Sequence, residues 1–550
     1  MKVCAAALGL LISTLWGAGA LAQEITPPDW NGETLGSPHR GGVLHLTADG
    51  PAGTLDPQIN YNTQYMQVFV NMYDGLLTFR QARGLSGQDV VPDLADALPQ
   101  ISADGLVWRF HLRPGLRFSS GAPVRVEDVV SSFKRIYQAG SPTAASFYGG
   151  IVGAKECLDD PAHCSLPGVQ GDTATGDIVF HLTHRDGEFL YKLAFAHAVI
   201  VPSDTPLHDT GNTTVPGTGP YRITSYNPEH QMILERNPFF HVWNPQAQTD
   251  GFVDRIEYDF GLSDEAQITA VEQGRYDWML DAKPSDRLGE LGARYASQVH
   301  IEPLLGLYYL AMNVHEKPFT DLRVRQAVSK AVSRHAMTIL FGGGAIAEPL
   351  CQMVPHGISG ADIGLDCPQD LQEARRLIQE SGAEGAAVTL VVPNRAVEAG
   401  MGTYLRNVLQ QIGLKAQLRP ITAGLATSYE QNTANHVQIA LSYWFADYPS
   451  ASTFLDDLFG CDNYHPNSPV SPNFTGFCDQ HIQSLFDQAM AESDPVKAAP
   501  IWQEAGRGVM KQMPGAPMIQ MRTIDFVSKR TGNYFSTMLN HMLFSHVWVQ

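Results

Sequence analysis

Positive charge is scarce in this chain: 37 Lys and Arg face 56 Asp and Glu in 550 residues, a formal net charge of −19, and nowhere do Lys and Arg cluster into a basic tract. The footprint that a phosphate backbone demands is missing, so no nucleic-acid partner is expected. Long apolar runs are missing too. Beyond the N-terminus no segment offers the roughly 18 uninterrupted apolar residues of a membrane span. Charged residues make up only 17% and apolar ones 44%, which excludes a disordered or coiled-coil chain and points to packed globular domains. No repeat with a period of roughly 20 to 50 residues occurs, which sets aside solenoids and propellers. Catalytic signatures are also absent: there is no G-x-S-x-G elbow, no H-E-x-x-H, no Walker loop and no strand-associated G-x-G-x-x-G. His181 and His184 sit in a strand pattern, where positions three apart face opposite ways, and read as surface histidines. The adjacent pairs Asp159-Asp160 and Asp456-Asp457 read as solvated faces. Missing motifs do not exclude an enzyme, but they shift the expectation toward binding.

The first residues differ from the rest. Lys2 opens a short positive region, Leu8 to Trp16 is apolar, and Ala20-Leu21-Ala22 is a small-x-small cleavage signal before Gln23. Residues 1–22 therefore read as a secretory signal peptide and the mature protein as periplasmic. A lipid anchor is not expected, because Cys4 precedes the apolar stretch rather than ending it, and Cys4 is expected to leave with the signal. Seven cysteines less Cys4 leaves six, an even number in an oxidising compartment. Six cysteines allow 15 connectivities. The spacing suggests three local pairs: Cys157 with Cys164, Cys351 with Cys367, and Cys461 with Cys478. A zinc site at Cys157, His163 and Cys164 is the weaker alternative, because C-x2-C spacing is missing. No metal and no cofactor are expected.

Alternation predicts strands over Val43 to Thr47, Trp108 to Leu112 and Ile178 to Leu182, with a helix between the last two carrying Val126, Val129, Val130, Phe133, Ile136 and Tyr137. Asp321 to Leu340 reads as one long helix capped by Gly342-Gly343-Gly344. Val388 to Val392, the helix ending at Gly413, and Lys415 to Ile421 form a β-α-β unit, whose strands must be parallel. Helices are expected near Gln480 to Glu492 and Pro495 to Gln512, and strands near Met518 to Met521 and His546 to Val549.

Several stretches, in order, resemble the extracellular solute-binding family 5 of ABC importers, the class of dipeptide-, oligopeptide- and nickel-binding proteins. They are Thr54-Leu55-Asp56-Pro57, Tyr73-Asp74-Gly75-Leu76-Leu77, Val91-Pro92-Asp93-Leu94-Ala95 and Phe110-His111-Leu112-Arg113-Pro114-Gly115. Gly217-Thr218-Gly219-Pro220-Tyr221, Leu234-Glu235-Arg236-Asn237-Pro238 and Pro318-Phe319-Thr320-Asp321 continue the series over nearly the whole mature chain. The resemblance implies a class II-like, Venus-flytrap periplasmic-binding-protein fold: two α/β lobes, with an extra subdomain inserted in the first. Mapped here, lobe I is 23–72 plus 217–299 plus 518–550, the inserted subdomain is 73–216, and lobe II is 300–517. The implied function is the substrate-binding component of an ABC importer, capturing a small solute, foremost a di- or oligopeptide, and delivering it as a monomer to an inner-membrane permease with its ATPase subunits. A secreted hydrolase acting on peptides or glycans is the alternative.

Dipeptide binders of this family hold the peptide ammonium with an Asp and its carboxylate with an Arg. Tyr443-Trp444-Phe445-Ala446-Asp447-Tyr448-Pro449 resembles the family's aromatic-x-Ala-Asp-Tyr stretch and puts Asp447 at the ammonium site; as a plain residue it reads equally as a helix N-cap or turn Asp. Arg395, after the strand Val388 to Val392, falls where the family's carboxylate Arg lies, although the residues around it depart from the family pattern. Tyr308, Tyr309, Tyr443 and Trp444 are candidate pocket walls, core packing being the alternative for each. Cys461 and Cys478 also resemble a disulfide of the dipeptide binders.

Overall fold

A computed structural model describes residues 31–280, 287–358, 360, 362–468, 471–534, 536–539 and 542–550. Residues 1–22, read as a signal peptide, and the cleavage expected before Gln23 lie outside the described residues.

The first lobe opens with β1 (Val43–Ala48) and α1 (Thr63–Phe69). The chain then leaves to build the inserted subdomain from β2 (Gln100–Ile101), β3 (Val107–His111), α2 (Val126–Gln138), β4 (Val169–Asp172), β5 (Asp177–His181) and α3 (Phe189–Ala194). It returns with β6 (Tyr221–Asn227), β7 (Gln231–Arg236), β8 (Arg255–Phe260) and β9 (Trp278–Met279), giving a five-stranded sheet in the order β9-β1-β8-β7-β6. The subdomain sheet runs β2-β3-β5-β4. Helix α2 starts where its sequence says it should: the Asp128 carboxylate accepts from the Arg125 amide at 2.8 Å, closing the first turn. Its apolar face buries Val129, Phe133 and Ile136 against that sheet.

The strand β10 (Val299–Met312) carries the chain into the second lobe. There follow α4 (Leu322–Ala331), α5 (Arg334–Phe341), β11 (Ala347–Pro349), β12 (Ala387–Pro393), α6 (Ala396–Gln411), β13 (Lys415–Ile421), β14 (Ile439–Phe445), α7 (Ser452–Phe459), α8 (Gln480–Met490) and α9 (Pro495–Gln512). The strand β15 (Gly515–Phe526) leads back, and the small ladder β16 (Thr531–Gly532) with β17 (Trp548–Val549) ends the chain. The second-lobe sheet has the order β11-β15-β10-β14-β12-β13.

The β-α-β unit is observed as read, with β12 and β13 parallel from Ala387↔Lys415 to Pro393↔Ile421. The long helix is not. Val332 is extended and the segment splits into α4 and α5, because Ser333 Oγ accepts from the Ala336 amide at 3.2 Å and starts a new helix. Arg334, buried, donates to the Ser329 and Val332 carbonyls, so carbonyls released at the break keep a donor, and it ties the break to β15 through the Pro517 carbonyl. Gly342, at φ +131°, ends α5, as the triple glycine suggested.

The lobe boundaries drawn at 299/300 and 517/518 fall inside strands rather than loops. β10 and β15 pair antiparallel from Val299↔Phe526 to Ala311↔Gly515, with irregular register between Pro303 and Leu307. Met521 pairs with Ala347 in the second-lobe sheet, while Phe526 packs on Ile268, Val271 and Met279 of the first lobe. The crossing is thus a two-stranded ladder. Three disulfides join Cys157 to Cys164, Cys351 to Cys367 and Cys461 to Cys478, the local pairs that the spacing suggested.

Candidate functional site

Strands β12 and β14 are parallel neighbours, with Leu390 opposite Ile439 and Val391 opposite Ala440, so their C-terminal ends open on the same sheet edge. That edge is where α/β sheets gather ligands. Arg395 lies two residues past β12 and Asp447 two residues past β14. The first lobe approaches from the other side: Tyr61, just before α1, donates its phenol hydrogen to Asp447 Oδ1 at 2.5 Å, bridging 386 residues of sequence.

A cavity of about 210 Å³ opens between these elements, walled by Tyr61, Met66, Phe195, Tyr443, Trp444, Phe445 and Met538, with Asp447 among its lining. A smaller one, about 60 Å³, shares Met66, Phe195 and Asp447 and adds Phe79, Arg80 and Thr537. Trp444 is locked by its indole N–H, which donates to the Thr453 carbonyl at 2.6 Å, and Tyr443 packs against Phe445 with ring centroids 5.6 Å apart. A mostly apolar hollow with one carboxylate results.

Burial raises the Asp447 carboxyl to a pKa of about 6, partly offset by the hydrogen bond from Tyr61. Asp457 is pushed well above the usual carboxylate range, first by burial and then by the charges of Asp447 and Asp456. Asp456 also rises to about 6, chiefly through burial. The reading of Asp456-Asp457 as a solvated face is therefore corrected: both lie on α7 beneath the lobe seam, half-buried. Asp159 and Asp160 are exposed as expected. The N-cap alternative for Asp447 also falls, since the N-cap residue of α7 is Ala451.

Of the six expected ligand residues, the structure brings Asp447, Tyr443 and Trp444 together at the larger cavity. Tyr308 and Tyr309 are not in the lining of either cavity. They sit on β10, a central strand whose two faces are both covered, so adjacent side chains enter opposite cores. Tyr308 donates to Glu398 Oε1 at 2.7 Å, and Tyr309 is 2% exposed. Arg395 is exposed at the N-cap position of α6 and is not among the residues lining these two cavities. Sequence reasoning missed Tyr61, Phe195, Arg80 and Met538. They are far apart in the chain, and no local pattern marks residues that meet only when the lobes do. Among the described residues no group of three or more His, Cys, Asp or Glu could hold a metal ion, and no helix is long and apolar enough to cross a membrane.

Comparison with known proteins places these features in context. Residues 89–466 match the family described as bacterial extracellular solute-binding proteins, family 5 middle. A dipeptide-binding protein of Pseudomonas aeruginosa is 26% identical over 531 residues, covering 90% of this chain and 93% of its own. The glutathione-binding protein GsiB of Salmonella typhi is 24% identical, covering 88% and 90%. Among solved structures, the clavulanic acid biosynthesis oligopeptide binding protein 2 superposes with a TM-score of 0.83 at 22% identity, over 93% of this chain and 96% of that one. The Helicobacter pylori periplasmic binding protein DppA, in complex with the peptide STSA, gives 0.75 at 20% identity, over 93% and 98%. These superpositions carry the two-lobe fold.

Proposed function

Because the chain belongs to family 5 of the bacterial extracellular solute-binding proteins, we propose that it captures short peptides with a free amino terminus and that Asp447 receives their ammonium group. The family is one of binding components of ABC importers, not of enzymes, so the hydrolase alternative is set aside. Its members work in the periplasm and pass their solute to a membrane permease driven by an ATPase. For this chain, export through residues 1–22 and action as a monomer belong to the proposal. So does the division into a first lobe of 23–72, 217–299 and 518–550, a subdomain of 73–216, and a second lobe of 300–517.

The observation that carries the ligand class is Asp447 itself. It lines both cavities, no cation among the described residues is paired with it, and aromatic and apolar groups surround it. A carboxylate held in such a place is stabilised by an ammonium ion, whose own burial it offsets. The names of the relatives, dipeptide- and glutathione-binding, agree with such a ligand. For the peptide's carboxylate the resemblance nominates Arg395. The cavities favour a second candidate, Arg80, which lines the smaller cavity with Asp447; its guanidinium meets Asp89 at 3.3 Å, and its buried Nε has no hydrogen-bond partner.

Calorimetric titration with alanyl-alanine and alanyl-phenylalanine, in free, N-acetylated and C-amidated forms, tests this. Asp447→Asn is expected to weaken the free peptides by roughly 2–5 kcal/mol and to leave the acetylated ones nearly unchanged. Arg395→Ala and Arg80→Ala are compared on free against amidated peptides, and the true carboxylate partner is the one whose loss matters only for the free form. Wild-type affinity by Asp447→Asn for the free peptides overturns the ammonium assignment.

A further inference from the structure

Glu188 immediately precedes α3 in the inserted subdomain, and its side chain is buried, 5% exposed. Its carboxylate accepts hydrogen bonds from three hydroxyls that all belong to the second lobe: Tyr448 Oη at 3.0 Å, Ser452 Oγ at 2.6 Å, and Ser450 Oγ. All three donors lie on the short stretch that directly follows Asp447. Tyr448 does not pack in its own lobe. Its ring is buried in the subdomain core, stacked on Tyr191 at 5.7 Å and edge-on to Phe147 at 5.4 Å. Beside it the Gly187 amide donates to the Met490 carbonyl at 2.7 Å, a second stitch across the same seam.

A buried carboxylate is tolerated only when hydrogen bonds or a counter-charge replace its lost hydration. Lys192 is the nearby cation, but its ammonium is held by Asp186 at 2.7 Å. The three hydroxyls of the second lobe therefore supply the direct hydrogen bonds to Glu188, and separating the lobes would strip all three at once. The same movement would draw Tyr448 out of its aromatic slot.

We propose that Glu188 is a positioning residue for ligand capture: it fastens the Asp447–Ser452 turn to the first-lobe subdomain, so that Asp447 is presented to the cavity only while the lobes are together. The proposal rests on the reading of Asp447 as the ammonium site. Its consequence is kinetic. A captured peptide leaves only when the turn is unfastened, so losing the fastening speeds release more than it slows capture.

Two variants test it, Glu188→Ala and the double variant Ser450→Ala/Ser452→Ala; the second keeps the carboxylate and carries the test if the first fails to fold. Stopped-flow measurements with alanyl-phenylalanine are expected to show dissociation faster by roughly 10- to 100-fold, with association within about threefold of wild type. Small-angle scattering of the ligand-free proteins is expected to give a larger radius of gyration than wild type. A lowered melting temperature with unchanged dissociation rate and unchanged radius of gyration would reduce Glu188 to a packing role and overturn the proposal. If wild type binds no peptide, the ammonium reading falls, and the ligand-free scattering still decides: a larger radius in the variants supports the fastening, an unchanged one refutes it.

Discussion

At the level of single residues, Asp447 makes binding sensitive to pH in a direction fixed by its surroundings. Burial raises its carboxyl to about 6, the hydrogen bond from Tyr61 partly offsets the rise, and Asp457 lies close enough to feel its charge. A bound ammonium would favour the carboxylate and pull that value down, so binding releases a proton below about pH 6. Affinity for a free-amino peptide is therefore expected to rise with pH up to about 6 and level off above, losing up to about tenfold per unit on the acid side. Calorimetry across that range checks it, and Asp447→Asn should flatten the profile. For the ligand-free protein the sign is opposite: a carboxyl raised on folding favours the fold below its shifted value, and that contribution is lost as pH climbs from about 4 through 6. Asp447 was legible in the sequence because its neighbours Tyr443, Trp444, Ala446 and Tyr448 carry the family pattern. Asp456 and Asp457 were misread, because they are buried only in the folded chain, where Glu188 of the inserted subdomain comes close enough for its charge to reach them.

At the level of elements, apolar periodicity identified β12, α6 and β13 correctly because each has its own uninterrupted apolar face or run. It failed at α4 and α5, where Val324, Ala327 and Val328 continue into Met337 closely enough to hide a break of two residues. The overlooked signal is Ser333, an N-cap residue in a position that periodicity treats as helix interior. Ser333→Ala is expected to lower stability by about 1 kcal/mol, measured by urea unfolding, since it removes the acceptor for the Ala336 amide while the break itself stays braced by Arg334. The pocket walls show the same limit: aromatic residues on a strand can be counted in the sequence, but Tyr308 and Tyr443 are cross-strand partners on neighbouring central strands, and only Tyr443, near the C-terminal end of β14, lines the cavity.

At the level of the whole molecule, the paired strands β10 and β15 form the passage between lobes, and closure on a ligand would require that ladder to bend, its irregular stretch at Pro303 to Leu307 being the expected place. Ligand at saturation is expected to shrink the radius of gyration in small-angle scattering. Reduction of the three disulfides should leave that shrinkage intact while lowering the melting temperature, because loops of this size contribute roughly 3 kcal/mol each. The bridges span 7, 16 and 17 residues, one within the subdomain and two within the second lobe. Drawn as a graph, the oxidised chain is a single line with three small rings threaded on it. None of the rings encloses a crossing between the halves, so the number of covalent paths from one half to the other is the same before and after oxidation. The redox state of the surroundings then sets how well each half holds its own shape but has no vote in how far the two swing apart, and a chain whose thiols are still free has the full stroke available to it.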